Sequence, residues 1–210
     1  MDPTSIDPKI LAEQLRKPEG DLGEEVGEFM AGRHTQAIAF SFEPLNIQPG
    51  DHVLEIGFGP GEAIAEAVRL TPKGFVAGID FSETMLRMAE KRNHRSIMQE
   101  HVELQLGDAK QLPYEDESFD KVFAMNVFHF WQKPLEELAA CHRVLKEGGK
   151  ILFYITHHSE WLPGIAGTGV FVKLEPEDAE EIVTNAGFKN VRSITTKLNN
   201  RLCFVVFGTK

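Results

Sequence analysis

The chain has 210 residues, is 42% hydrophobic and carries a formal net charge of −10. That is enough apolar material for one domain with its own core, and the acidic balance argues against a nucleic-acid partner, which needs clustered Lys and Arg. No run of about 18 apolar residues predicts a membrane span.

The start, Met1-Asp2-Pro3-Thr4, is acidic and has no apolar core, so no signal peptide is expected. Residues 1–48 read as helices broken at Pro18–Gly20 and form a cap within the same domain. Leu22, Val26, Phe29 and Met30 recur at spacings of three and four in an acidic segment, which predicts an amphipathic helix. A further helix is expected over 35–45, ending near Pro44. Strands are expected near 52–57, 75–80, 102–106, 119–125, 149–156, 188–195 and 201–208. Helices are expected near 61–70, 82–93, 132–146 and 176–186. In the 132–146 helix, Leu135, Leu138, His142 and Leu145 are placed on one face, with Glu136 and Glu137 outside. Pro176 and Gly187 bracket the last helix. This alternation predicts an α/β fold with a mostly parallel sheet covered on both faces. A short turn from Thr195 to Asn200 predicts a terminal hairpin, hence one antiparallel strand.

Cys141 and Cys203 lie in apolar stretches without metal spacing and are expected as free buried thiols in a reducing compartment, which places the protein in the cytoplasm. Arg87, Lys91, Arg92 and Arg95 form one small basic group, read as a solvated helix face.

The chemistry concentrates after the first strand. Glu55-Ile56-Gly57-Phe58-Gly59-Pro60-Gly61-Glu62 reads as a strand entering a glycine-rich turn and a helix. Asp80 ends the next strand, where a carboxylate can grip ribose hydroxyls. A dinucleotide fingerprint needs glycine where Glu62 stands. A pyrophosphate there would face a carboxylate in the first helical turn. S-adenosylmethionine has no phosphate; its sulfonium and ammonium tolerate Glu55 and Glu62 as neighbours.

These residues resemble the class I S-adenosylmethionine-dependent methyltransferases of the small, ubiquinone-biosynthesis-like kind, over roughly residues 49–210. The resemblance rests on Glu55-x-Gly57-x-Gly59-x-Gly61, on Asp80 in Gly78–Ser82, on Gly107-Asp108-Ala109 with Leu112-Pro113-Tyr114 and Ser118–Val122, on Asn126-Val127-Phe128-His129, and on Val144–Lys150. It implies a Rossmann-like seven-stranded sheet of order 3-2-1-4-5-7-6 and an N-terminal helical lid. S-adenosylmethionine is then the cofactor. Gly57, Gly59 and Gly61 turn backbone toward its methionine part, Glu55 faces its amino group and Asp80 its ribose. Asp108 and the Ala109 N–H read adenine between Phe81 and Met85, and the Asn126 carbonyl faces the cofactor. Each has a plainer alternative: a tight turn for the glycines, a buried loop cap for Glu55, a helix cap for Asp80, an Asx turn for Asp108, core packing for Phe81 and Met85.

The expected reaction is methyl transfer to a small-molecule acceptor, apolar or aromatic, with the acceptor atom open. His129, at the rim amid Phe128, Phe130 and Trp131, is the candidate general base or substrate-orienting donor, since imidazole titrates near neutral pH; the alternative is a histidine satisfied by backbone. His34 (with Arg33), Phe128, His157 and Trp161 are placed against the acceptor, and the segment 159–173 as its cap. His157 and His158 follow a strand, where neighbours point to opposite faces, so no metal site is expected. A non-catalytic cofactor-binding module is the competing class; a nicotinamide oxidoreductase is disfavoured by Glu62 and the Asp108 block. A monomer or homodimer is expected.

Overall fold

Uninterrupted apolar runs such as Ile151–Ile155 suit strands covered on both faces, because neither face needs a polar residue. The computed structural model describes residues 2–32 and 35–210. Its strands are β1 (His52–Ile56), β2 (Phe75–Asp80), β3 (Val102–Leu106), β4 (Phe119–Met125), β5 (Leu145–Thr156), β6 (Lys189–Leu198) and β7 (Arg201–Thr209). They form one seven-stranded sheet of order β3-β2-β1-β4-β5-β7-β6. All pairings are parallel except those of β7, which is antiparallel to both β5 and β6.

The helices are α1 (Pro8–Arg16), α2 (Gly20–Met30), α3 (Thr35–Leu45), α4 (Glu62–Leu70), α5 (Glu83–Met98), α6 (Leu135–Val144) and α7 (Pro176–Asn185). Alternate strand residues feed two cores. Leu54, Val122, Ile151 and Phe153 pack with α6 and α7. Val53, Phe123, Leu152 and Val205 pack with α3, α4 and α5. Cys141 and Cys203 are free and buried.

Two local expectations change. The terminal turn shrinks to Asn199-Asn200, both at positive φ (51° and 63°). Asparagine tolerates that conformation, and a two-residue loop of this kind matches the twist of the strands, so Leu198 already pairs with Arg201. In α6 the inward face is rotated. Leu135 is 59% exposed while Glu137 is only 5% exposed. Glu137, Cys141 and Val144 stand at i, i+4 and i+7, and that stripe is buried together with Leu138 and Leu145 of the expected face.

α1 and α2 pack on the segment after β5. Leu11, Ala12 and Val26 form a small core with Ile165, and Trp161, Leu162 and Phe171 lie against it. The same helices are tied to the ends of the early strands. Ser82 Oγ donates to Pro18 O at 2.5 Å, the Gly32 N–H donates to Glu62 Oε1 at 2.7 Å, and Arg87 pairs with Glu24 at 2.9 Å.

Candidate active site

The carboxyl ends of β1, β2, β4 and β5 open into one crevice of about 1060 Å³. It lies where the strand order reverses between β1 and β4, the position where open α/β sheets bind ligands. Small-ligand pockets usually measure roughly 300–1,000 Å³, so this crevice lies at the upper end of that range.

The turn from β1 to α4 forms one wall. Gly59 has φ +50° with nothing near the place a Cβ would take, so bare backbone faces the crevice. Its N–H donates to Asp80 Oδ2 at 2.9 Å. Gly57, also in the wall, donates its N–H to Ile79 O at 2.7 Å. Gly61 departs from the expectation. A Cβ there would lie 2.6 Å from Asn93 Nδ2 and 2.8 Å from Ala89 Cβ. Gly61 therefore seats α4 against α5 and does not line the crevice.

Three carboxyl groups meet at this turn. Asp80 Oδ1 accepts the Ser82 N–H at 2.9 Å. The cap of α5 is Ser82, whose Oγ accepts the Met85 N–H at 3.1 Å. Burial pushes the Asp80 carboxyl up to about 6, against the pull of N–H donors from Ser82, Gly59 and Phe81. Glu55 is buried and held well above the usual carboxylate range, first by desolvation and then by the charges of Asp80 and Glu62. Glu55 Oε2 and Glu62 Oε2 are both buried without a partner. Orphaned acceptors of this kind call for a bound donor or cation. A pyrophosphate would be repelled here, whereas an ammonium or sulfonium would relieve the crowding.

Farther along, Asp108 and Ala109 line the crevice. Asp108 Oδ1 accepts the Lys110 N–H at 2.9 Å, which is the Asx turn. Phe81 also lines it, with Arg16 and Lys17 at 5.6 and 5.8 Å from its ring centre. Met85 is buried beneath. Asn126, at φ 55°, lines the wall and binds β4 to β5 by accepting the Thr156 N–H on Oδ1 at 2.8 Å. Glu137 was missed from sequence. It lines the crevice with one buried, partnerless oxygen, 4.0 Å from Lys110 on the other. Burial raises its pKa. Its i, i+4, i+7 spacing to Cys141 and Val144 was the available signal.

The opposite end is aromatic. His129 is 3% exposed and lies flat on Phe171, with ring centres 4.8 Å apart and planes 12° apart. Phe130 and Trp161 meet it edge-on at 4.4 and 5.9 Å. His129 Nδ1 and Trp161 Nε1 are buried without partners, and both residues line the crevice. Burial pulls the His129 imidazole down to about 3. The expectation that it titrates near neutrality fails; this ring is neutral in ordinary buffers because no counter-charge offsets its desolvation.

Two further placements are corrected. Phe128 stacks on Phe153 at 4.6 Å and meets Trp131 edge-on at 5.5 Å, inside the core rather than in the crevice. The reason is a short 3-10 turn at Phe128–Phe130, which sends Phe128 inward while His129 and Phe130 reach the wall. His157 does not line the crevice either. β5 ends at Thr156, so the alternation of strand neighbours stops there, and both His157 and His158 turn to Glu175. His34 lies outside the described residues.

Residues 54–153 match the family model for the methyltransferase domain. Together with the strand order and the glycine turn, the match makes this region similar to the class I S-adenosylmethionine-dependent methyltransferase domains. Among curated relatives, the demethylmenaquinone methyltransferase of Alkalihalophilus pseudofirmus is 36% identical over 57% of this chain and 51% of its own length. The uncharacterized methyltransferase YdaC of Bacillus subtilis is 31% identical over 59% of this chain and 66% of its own length. The chain thus spans about half the length of the demethylmenaquinone methyltransferases it matches. Among solved structures, a SAM-dependent methyltransferase from Aquifex aeolicus superposes with a TM-score of 0.68 at 20% identity, over 97% of this chain and 98% of that one. Phosphoethanolamine N-methyltransferase 2 of Haemonchus contortus gives 0.77 at 18% identity, over 98% of this chain and 60% of that one. Among the described residues no helix is long and apolar enough to cross a membrane.

Proposed function

We propose that this protein transfers a methyl group from S-adenosylmethionine to a small, apolar aromatic acceptor bearing an oxygen, of the quinol kind. One observation carries this reading: a single crevice with carboxyl groups crowded at one end and, at the other, an aromatic box holding two partnerless polar atoms. The names of the demethylmenaquinone methyltransferases point to the same acceptor class.

In this reading Asp80 holds the ribose hydroxyls and Glu55 the amino group. Asp108 and Ala109 meet adenine, with Phe81 and Met85 as its walls. When bound, the cofactor would supply an activated methyl group to the acceptor's electron pair and leave as the neutral thioether, the acceptor's proton passing to solvent. The protein's share is alignment and the exclusion of water. Phe130, Trp161 and Phe171 cover the acceptor. His129 Nδ1 and the Trp161 N–H face its oxygen, one as hydrogen-bond acceptor and the other as donor. As a neutral ring of low basicity, His129 orients a hydroxyl rather than storing a proton.

S-adenosylhomocysteine should form when the protein is given S-adenosylmethionine and reduced naphthoquinones; a panel of phenols, thiols and amines that yields none would overturn the assignment. His129→Phe keeps the stack on Phe171 but removes both nitrogens. It should lower kcat by roughly 10- to 100-fold with cofactor affinity unchanged; an unaltered rate removes His129 from the reaction. The Asp80 carboxyl adds a pH signature. Ribose binding needs its ionised form, so cofactor affinity should be full above about pH 7. It should fall by up to about tenfold per unit as pH drops below about 6. A titration flat from pH 5 to 8 would contradict that role.

A further inference from the structure

His157 and His158 form, with Glu175, a cluster that methyl transfer does not use. Their rings lie side by side with centres 4.1 Å apart and planes tilted by 33°. His158 Nε2 is 2.8 Å from Glu175 Oε1 and His157 Nε2 is 3.1 Å from Glu175 Oε2. The ligating atoms of all three lie within 4.8 Å of one another. Ligands around a four-coordinate zinc, at bond lengths of about 2.0–2.1 Å, stand roughly 3.3 Å apart. Both histidine–carboxylate separations already approach that spacing.

We propose that His157, His158 and Glu175 bind one divalent transition-metal ion of the zinc type. Two imidazole nitrogens and a carboxylate suit Zn²⁺, Co²⁺ or Ni²⁺, whereas Mg²⁺ and Ca²⁺ prefer all-oxygen sets. His157 Nδ1 lies 2.7 Å from Ser159 Oγ. Nδ1 also accepts the Ser159 N–H at 3.2 Å, which puts the ring proton on Nε2 facing Glu175; an ion that takes Nε2 shifts that proton to Nδ1, where the Ser159 hydroxyl accepts it. Glu175 is exposed, so the ion enters from solvent and water completes its coordination.

The position gives the ion a consequence. His157 and His158 precede, and Glu175 follows, the segment that carries Trp161, Ile165 and Phe171. An ion held by all three staples the two ends of the aromatic wall together. The site is separate from the crevice, so the proposal does not depend on the acceptor.

Untagged protein stripped with EDTA should bind one equivalent of Co²⁺ with visible d–d absorption, and Zn²⁺ should displace it. Zn²⁺ should also raise the unfolding temperature, while Mg²⁺ should not. Glu175→Gln and His158→Asn should each weaken Zn²⁺ binding by about tenfold or more. The double variant His157→Asn/His158→Asn should abolish the one-equivalent step while its circular dichroism in EDTA matches that of the parent. Absence of saturable one-to-one binding in the parent overturns the site. So does a Co²⁺ titration that the double variant or Glu175→Gln leaves unchanged.

Discussion

Asp80→Ala should weaken S-adenosylmethionine binding by about 10²–10⁴-fold. Two hydrogen bonds from ribose hydroxyls to a buried carboxylate, at roughly 1.5–3 kcal/mol each, are lost together. The carboxylate also accepts the Gly59 and Ser82 N–H groups, so its removal loosens the turn that faces the methionine part. Asp80→Asn separates the two effects. It keeps an oxygen for the backbone donors but not the charge, and should fall between the parent and alanine. Calorimetry reads all three proteins directly. Equal affinity in the parent and the alanine variant would refute the ribose assignment and, with it, the orientation of the whole cofactor.

Phe128→Ala should cost about 3–5 kcal/mol of stability. The ring is 1% exposed and its stack on Phe153 and edge contact with Trp131 anchor the end of β4 to the neighbouring strand. Against a typical total of about 5–15 kcal/mol, that brings the fold close to its limit at 37 °C. The urea midpoint should drop sharply with the slope of the transition unchanged. If Phe128 touched the acceptor instead, the midpoint would hold and KM would move.

The sheet could be read in advance because both-sided burial leaves continuous apolar runs, and the hairpin because only the short Thr/Asn-rich stretch 195–200 separates the last two strand segments. The residues at the first two strand ends could also be placed, since a strand fixes where its last residue points. Side chains just past a strand end could not. Phe128 and His157 depend on short 3-10 turns whose direction is set by packing, not by any local period. The neutrality of His129 has the same origin. Its stack on Phe171, 42 positions later in the chain, is a tertiary contact that local pattern does not encode. Glu137 was misplaced for another reason: a charged residue on a helix is assigned to solvent by default, and here a crevice takes the place of solvent.

β7 lies between β5 and β6 although it follows both in the chain. On the ribosome, then, β6 emerges before it has anything to pair with, and the inner edge of β5 stays open with its apolar residues bare. The sheet cannot close outward strand by strand during synthesis; its last step is the docking of β7, with β6 hairpinned to it, on the open edge of β5. A nascent chain paused before residue 201 is therefore the species most exposed to aggregation and most in need of a chaperone.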